Sequence, residues 1–141
     1  MDRQLVGTWL LRSHQVEDRA TGERSEPFGT APSGVMIVLA DGRMSVLITG
    51  EATATVPAPL IAYAGHCDVP SPGRFVTAVD VASIAPWVGT EQERGYTVAG
   101  DRLELSTASP QSGNDGAAEM RVATMVWVRE TTPVATAATS D

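Results

Sequence analysis

Short runs in which apolar and polar residues alternate predict β-strands along almost the whole chain. A period of two is typical of a strand with one buried face, and no window shows the period of an amphipathic helix. We predict eight strands, at residues 5–17, 34–40, 43–49, 60–69, 74–84, 91–98, 101–107 and 119–130. The sequence of residues 51–62 is also compatible with a short helix. Short strands at this spacing predict a β-sandwich or a β-barrel.

Turn signals divide the connections between these strands into two groups. Asp41-Gly42, residues 70–73 and Ala99-Gly100 predict tight turns, whereas the connections at about 18–33, 50–59, 85–90 and 108–118 are long. Successive connections of an up-and-down sheet lie at opposite ends, so the tight turns are expected at one end and the long loops at the other.

The two ends of the chain predict that this sheet is closed. A strand that contains Gly7-Thr8-Trp9 opens the chain, and a strand that contains residues 125–129 (MVWVR) ends the predicted sheet. If the first and last strands pair, the sheet becomes a barrel with an interior. We therefore predict an all-β fold, an eight-stranded antiparallel up-and-down β-barrel with an internal cavity. Residues 1–130 would form the barrel, and the small polar residues 131–141 a disordered tail.

Composition changes this picture by excluding classes of partner and chemistry. The chain has 141 residues, which fits one domain, and its net charge is −7. A negative charge argues against nucleic acids and anionic membranes as partners. All ten basic residues are arginine, so no lysine Schiff base can form. We expect the partner to be a small hydrophobic molecule.

Cysteine content and the N-terminal residues bear on the compartment. Cys67 is the single cysteine, so no intrachain disulfide can form. The first residues lack the apolar segment of a secretory signal, and no uncharged apolar run reaches 18 residues. A cytoplasmic protein is the simplest interpretation, and a homodimer is compatible with the sequence.

Six short motifs follow one another in an order that resembles the bacterial lipocalin-like domain family. They are residues 5–9 (LVGTW), 27–29 (PFG), 40–46 (ADGRMSV), 62–65 (AYAG), 87–90 (WVGT) and 100–107 (GDRLELST). The resemblance covers about residues 5–130 and implies a small calycin-type β-barrel. It also implies a link to natural-product pathways, in which some related barrels act as cyclases. Where the family pattern often has two consecutive histidines, this chain has Ala78-Val79, so no role tied to those histidines is expected.

Alternation along each strand assigns side chains to the lumen, starting from an inward Trp9. His14 and His66 fall on the outward phase, although a β-bulge would invert the assignment of its strand. Together with Trp87 in a long loop, the inward positions give the expected ligand contacts: Ser13, Gln15, Met36, Val38, Met44, Val46, Cys67, Trp87, Gln92, Tyr96 and Met125.

Tyr63 and Arg94 are the candidate catalytic residues. A buried guanidinium needs a partner. Arg94 would therefore bind a carboxylate, enolate or carbonyl of the ligand or pair internally with a carboxylate such as Asp80; the alternative is an outward Arg94. Tyr63 would donate a hydrogen bond to a ligand carbonyl or fill the wall. Trp9 and Arg129 are expected to meet in a cation–π contact that closes the barrel, which is a structural role.

Other chemistry finds little support in the sequence. Two isolated histidines have no third ligand at a spacing suitable for zinc, so we expect no metal site. There is no phosphate-binding glycine loop before a helix and no Gly-x-Ser-x-Gly motif, and we expect no cofactor. Cys67 is most simply a small buried apolar residue.

Three functions remain open. We favour a cofactor-independent cyclase or isomerase of polyketide or polyene biosynthesis. Such an enzyme would fold an apolar substrate in the cavity, as for a cycloaddition, while Tyr63 and Arg94 stabilise developing charge. The first alternative is a non-catalytic carrier for a small hydrophobic ligand. The second is an interaction module whose lumen is filled by its own side chains.

Overall fold

The computed structural model describes residues 1–51, 59–107 and 121–131, which are almost entirely β. Two short 3₁₀ helices lie at Arg3–Leu5 and Ala85–Trp87. The predicted tail at 131–141 lies outside the described residues, except for residue 131. Residues 52–58, most of the segment compatible with a short helix, also lie outside them. The strands are β1 Gly7–Asp18, β2 Arg24–Ser25, β3 Ser33–Val38, β4 Arg43–Thr49, β5 Leu60–Ser71, β6 Arg74–Ala82, β7 Glu91–Ala99, β8 Arg102–Ser106 and β9 Arg121–Arg129.

The sheet is antiparallel throughout and closes on itself. The strand order is β2-β1-β3-β4-β5-β6-β7-β8-β9, and β1 also pairs with β9. This confirms the predicted eight-stranded barrel, with the two-residue β2 as an addition at the end of β1. Within the described residues, no helix has the length and apolar character needed to cross a membrane.

The three tight turns lie at one end of the barrel, which we call the floor. Gly7 at the start of β1 pairs with Val38 at the end of β3, which places the β3–β4 turn beside the N-terminus of β1. Gly42 in this turn has φ +98°, and a Cβ there would lie 2.8 Å from the carbonyl oxygen of Cys67. Only glycine adopts this conformation and this close approach without strain. The strand ends that the long connections join therefore lie at the opposite end, the rim.

The N-terminal segment covers the floor from below. Trp9 is completely buried, and its Nε1 donates a hydrogen bond of 3.0 Å to the carbonyl oxygen of Leu5. The Arg129 guanidinium lies 4.3 Å from the centroid of the Trp9 ring, which confirms the expected cation–π contact. The same guanidinium donates to the carbonyl oxygens of Val6 and Gln4 at 2.8 and 2.9 Å. Arg129 is thus a structural residue that joins the last strand to the first.

A β-bulge in β1 reverses the direction of its side chains halfway along the strand. Leu11 pairs with Trp127, and after the shift Ser13 pairs with Val126 and His14 with Met125. Paired residues share a face of the sheet, so His14 points inward and Ser13 outward. The expectation that Ser13 and Gln15 face the lumen is therefore wrong. Gln15 is exposed and lines an outer groove with Glu17, Arg24 and Thr124.

The inward side chains of the strands form one continuous core. Its floor half is tightly filled, and its rim half leaves the cavity described below. The buried apolar residues of the cluster are Leu5, Trp9, Leu11, Phe28, Met36, Val38, Met44, Val46, Ile48, Cys67, Phe75, Leu103, Leu105, Met125 and Trp127.

Candidate functional site

An internal cavity of about 220 Å3 lies in the rim half of the barrel. The lumen is therefore not completely filled by its own side chains. The volume is below the ~300–1,000 Å3 that is usual for drug-sized ligands, so it suits a compact molecule. The described residues that line it are His14, Met36, Val46, Ile48, Ile61, Tyr63, Trp87, Arg94, Leu105, Thr107, Ala123, Met125 and Trp127.

Strand register brings the lining residues together in two rows. On one side Met36 pairs with Val46 and Val46 with Tyr63, across β3, β4 and β5. On the other side Leu105 pairs with Met125 and Met125 with His14, across β8, β9 and β1. Met36, Val46 and Met125, which were predicted as ligand contacts, belong to these rows and form part of the apolar wall of the cavity. Two of the three are methionines, whose flexible side chains adapt to irregular shapes.

Aromatic rings cover the cavity toward the rim. Trp87 ends the 3₁₀ helix that follows β6, and its ring meets the Tyr63 ring edge to face with centroids 5.6 Å apart. The Thr90 hydroxyl donates 2.6 Å to the carbonyl oxygen of Trp87 and fixes this loop. Tyr63 and Trp87, both predicted site residues, therefore lie side by side on the lining.

Arg94 also lines the cavity, and its hydrogen bonds go to neutral acceptors. Its Nη1 donates 2.9 Å to the Glu93 carbonyl oxygen, and its Nη2 donates 3.0 Å to Gln92 Oε1. Among the described residues no carboxylate lies within ion-pair distance of it. The carboxylate of Asp80, an alternative partner in the sequence analysis, instead pairs with Arg43 at 2.9 Å on the outer surface. Since guanidinium has five N–H donors, several remain for a ligand.

His14 is the functional candidate that the sequence analysis placed on the wrong face. Its side chain is only 7% exposed and meets Phe28 edge to face, with centroids 4.8 Å apart. Its Nδ1 is buried and has no hydrogen-bond partner among the described residues. Burial lowers the pKa of His14, and the nearby charge of Arg94 lowers it further. The imidazole is therefore neutral at pH 7.

The lowered pKa of His14 predicts a pH-dependent stability. Just below the ordinary pKa of 6.5 the unfolded chain binds more protons at this position than the folded chain. The free energy of unfolding should therefore fall as pH drops from 7.5 to about 5, by at most about 1.4 kcal/mol per pH unit for one proton. Urea denaturation should show this slope weakened in His14→Gln and retained in the control His66→Gln, an exposed histidine. Equal slopes in the wild type and both variants would contradict the lowered pKa of His14.

Four residues predicted as ligand contacts lie in the core or at the floor and not on the cavity. Val38 and Met44 pair with each other next to the β3–β4 turn, and the Cys67 amide donates to the Gly42 carbonyl oxygen of this turn. Burial raises the pKa of the Cys67 thiol to about 11, so it stays protonated. These three side chains point into the barrel as predicted, but they lie nearer the floor than the cavity.

The fourth is Tyr96, which belongs to the floor. Its hydroxyl donates 2.6 Å to Asp2 Oδ2, and its amide donates to the carbonyl oxygen of Gly73 in the β5–β6 turn. Burial raises the pKa of Tyr96, and the hydrogen bond to Asp2 raises it further. Gln92, also predicted as a contact, is not among the lining residues. It supports Arg94 through its side-chain oxygen.

Several lining residues were not predicted as ligand contacts. Ile61, Leu105, Thr107 and Ala123 lie near the rim ends of their strands, where a small or ordinary apolar residue carries no distinctive signal. Ile48 and Trp127 occupy buried strand positions, but nothing in the sequence marks them as cavity residues. His14 could have been found only by recognising the bulge in β1.

Comparison with known proteins agrees with this architecture. A sequence model of the lipocalin-like domain matches residues 6–130. A curated relative is the 4'-hydroxy-3'-methoxypropiophenone carrier protein ppsC of Aspergillus oryzae, which is 38% identical over 69 residues. This alignment covers 44% of the present chain and 62% of the relative, so the chain matches less than two thirds of that protein's length.

Proposed function

The chain belongs to the lipocalin-like domain family, and on this premise we propose that its barrel binds a compact, largely apolar molecule that carries an oxygen atom. The observation that carries the proposal is the apolar cavity of about 220 Å3 with Arg94 on its wall. A cavity of about 150 Å3 is enough for benzene, so this one suits a single substituted ring. A long folded polyene would need more room.

Each part of such a molecule has a partner on the lining. A ring would pack between the apolar wall and the aromatic side chains of Tyr63 and Trp87, which favour edge-to-face contacts. A carbonyl or hydroxyl oxygen would accept hydrogen bonds from the N–H groups of Arg94 that have no partner among the described residues. Polar groups at a few fixed points in an apolar pocket are the usual basis of orientation and selectivity.

The function that these features support best is that of a carrier. The name of the Aspergillus oryzae relative describes a carrier for an aryl ketone that also bears a hydroxyl and a methoxy group. An aryl ketone of this kind has the size and the oxygen atoms that the present cavity would select. We therefore propose an oxygenated aromatic compound, such as an aryl ketone, as the ligand class.

A cofactor-independent isomerase or cyclase is the second candidate, because three groups suited to proton transfer or charge stabilisation border one cavity. Neutral His14 can accept or donate a proton, Tyr63 can donate a hydrogen bond, and Arg94 can stabilise an enolate. The cavity volume restricts this proposal to compact substrates. A carrier needs the same lining but leaves its ligand chemically unchanged.

A fluorescence titration tests the binding proposal, since Trp87 and Trp127 both line the cavity. Addition of 4'-hydroxy-3'-methoxypropiophenone should change the tryptophan emission saturably, with one site per chain. A long polyene fatty acid should produce no saturable change because it exceeds the cavity. No saturation by the aryl ketone, or equal binding of the two probes, would contradict the proposal.

Mass spectrometry of the same mixtures separates the two candidate functions. A carrier returns the aryl ketone unchanged after prolonged incubation. A new or stereochemically enriched product, absent from a control without protein, would instead assign an isomerase or cyclase.

A further inference from the structure

The described lining of the cavity carries one formal positive charge and no formal negative charge. Arg94 supplies the positive charge, and none of the lining residues is an aspartate or a glutamate. The hydrogen bonds of Arg94 to the Glu93 carbonyl and the Gln92 amide oxygen do not neutralise it. Tyr63 and His14 are the other titratable groups on the lining, and burial together with Arg94 keeps His14 neutral by lowering its pKa.

Two residues of the same lining each carry a buried polar atom that has no partner among the described residues. The atoms are Nδ1 of His14, which is 7% exposed, and Nε1 of Trp127, which is 1% exposed. Buried polar atoms in native proteins are nearly always paired, so such orphans call for a ligand or a solvent molecule. Since His14 pairs with Met125 and Trp127 lies two residues further along the same face of β9, the two side chains are close neighbours.

We propose that the cavity binds its ligand as a monoanion, with the negative charge on a conjugated oxygen such as that of a phenolate or an enolate. The Arg94 guanidinium would hold this oxygen. The ligand binds from its phenol or enol form, whose hydroxyl proton passes to the solvent, so no bond to carbon is formed or broken. This inference rests on the proposed function and specifies the ionisation state that the same site selects.

Charge balance is the reason for this selection. An anion in an apolar cavity is unfavourable unless a cation pairs with it, and the same holds for a guanidinium without a counter-ion. A monoanionic oxygen meets both requirements at once, whereas with a neutral ligand no carboxylate of the described lining balances the charge of Arg94. A conjugated oxygen spreads its charge into a ring or carbonyl system that packs on the apolar wall. Charge-assisted hydrogen bonds are also about twice as strong as neutral ones.

The probe for this inference is 4-nitrophenol, whose ionised form alone is yellow. Absorbance titrations against pH, with and without excess protein, give the pKa of the bound and free probe. Bound 4-nitrophenol should ionise at least about one pH unit lower than free probe, which means that the anion binds about tenfold or more tightly than the neutral form. Arg94→Gln should abolish this preference.

Arg12→Gln is the matched control because it removes the same charge from an exposed position on β1. It should keep the full preference for the anion, and circular dichroism should show that both variants are folded. Equal affinity for the two forms of the probe would overturn the inference, as would an anion preference that survives Arg94→Gln or a probe that does not bind at all. Saturable aryl ketone binding alongside any of these results would leave the carrier proposal intact, so the two failures are distinguishable.

Discussion

Replacement of Trp9 by alanine is expected to lower the free energy of unfolding by about 3–5 kcal/mol. The side chain is completely buried and fills the barrel above the N-terminal segment. Its removal would leave a cavity at the floor, a Leu5 carbonyl without its 3.0 Å hydrogen bond, and an Arg129 guanidinium without the ring beneath it. Chemical denaturation of the wild type and the variant measures the difference.

Two further variants make this expectation specific. Trp9→Phe keeps an aromatic ring but loses the Nε1 donor, so it should cost clearly less than Trp9→Ala. Trp87→Ala at the rim should also cost less, since that side chain is only partly buried. A loss below about 1 kcal/mol for Trp9→Ala would show that the floor does not close the barrel as described.

Ala123→Phe is expected to weaken ligand binding by about a hundredfold or more. Ala123 lies on the cavity wall, and a phenyl ring at this position would occupy much of the 220 Å3 available to the ligand. The substitution places an apolar group in an apolar space, so its cost to stability should stay within the ~1–3 kcal/mol typical of overpacking. The same fluorescence titration with 4'-hydroxy-3'-methoxypropiophenone measures the loss.

Val81→Phe is the matched control for this variant. Val81 lies on the outer face of β6 and is 63% exposed, so an added ring there projects into solvent. Its affinity for the aryl ketone should equal that of the wild type. If Ala123→Phe is folded and binds as tightly as the wild type, the ligand does not occupy the cavity.

The architecture could be predicted from the sequence because its signals are local. Alternation marked the inward positions of most strands, and the glycines at 42, 73 and 100 have the positive φ that tight turns require. Pairing of the first and last strands was predicted from the strand patterns at the two ends of the chain, and closure of the sheet followed from it. The short β2 escaped notice because two residues carry no periodic signal.

The contacts of the cavity were harder to predict, for two physical reasons. A bulge depends on how two strands pair, so the sequence of β1 alone does not show that His14 replaces Ser13 and Gln15 on the inner face. Alternation also predicts whether a side chain points inward or outward, but not how far along the barrel it lies between floor and rim. Cys67 and Tyr96 lie on the strands as expected, but near the floor.

The central claim is that a compact oxygenated ring binds inside the rim half of the barrel. A crystal structure of the protein with 4'-hydroxy-3'-methoxypropiophenone tests it most directly. We expect ligand density within the cavity, with the ring against Tyr63 and Trp87 and an oxygen within hydrogen-bond distance of the Arg94 guanidinium. An empty cavity in crystals whose protein binds the ligand elsewhere, for example in the outer groove beside Gln15, would contradict it.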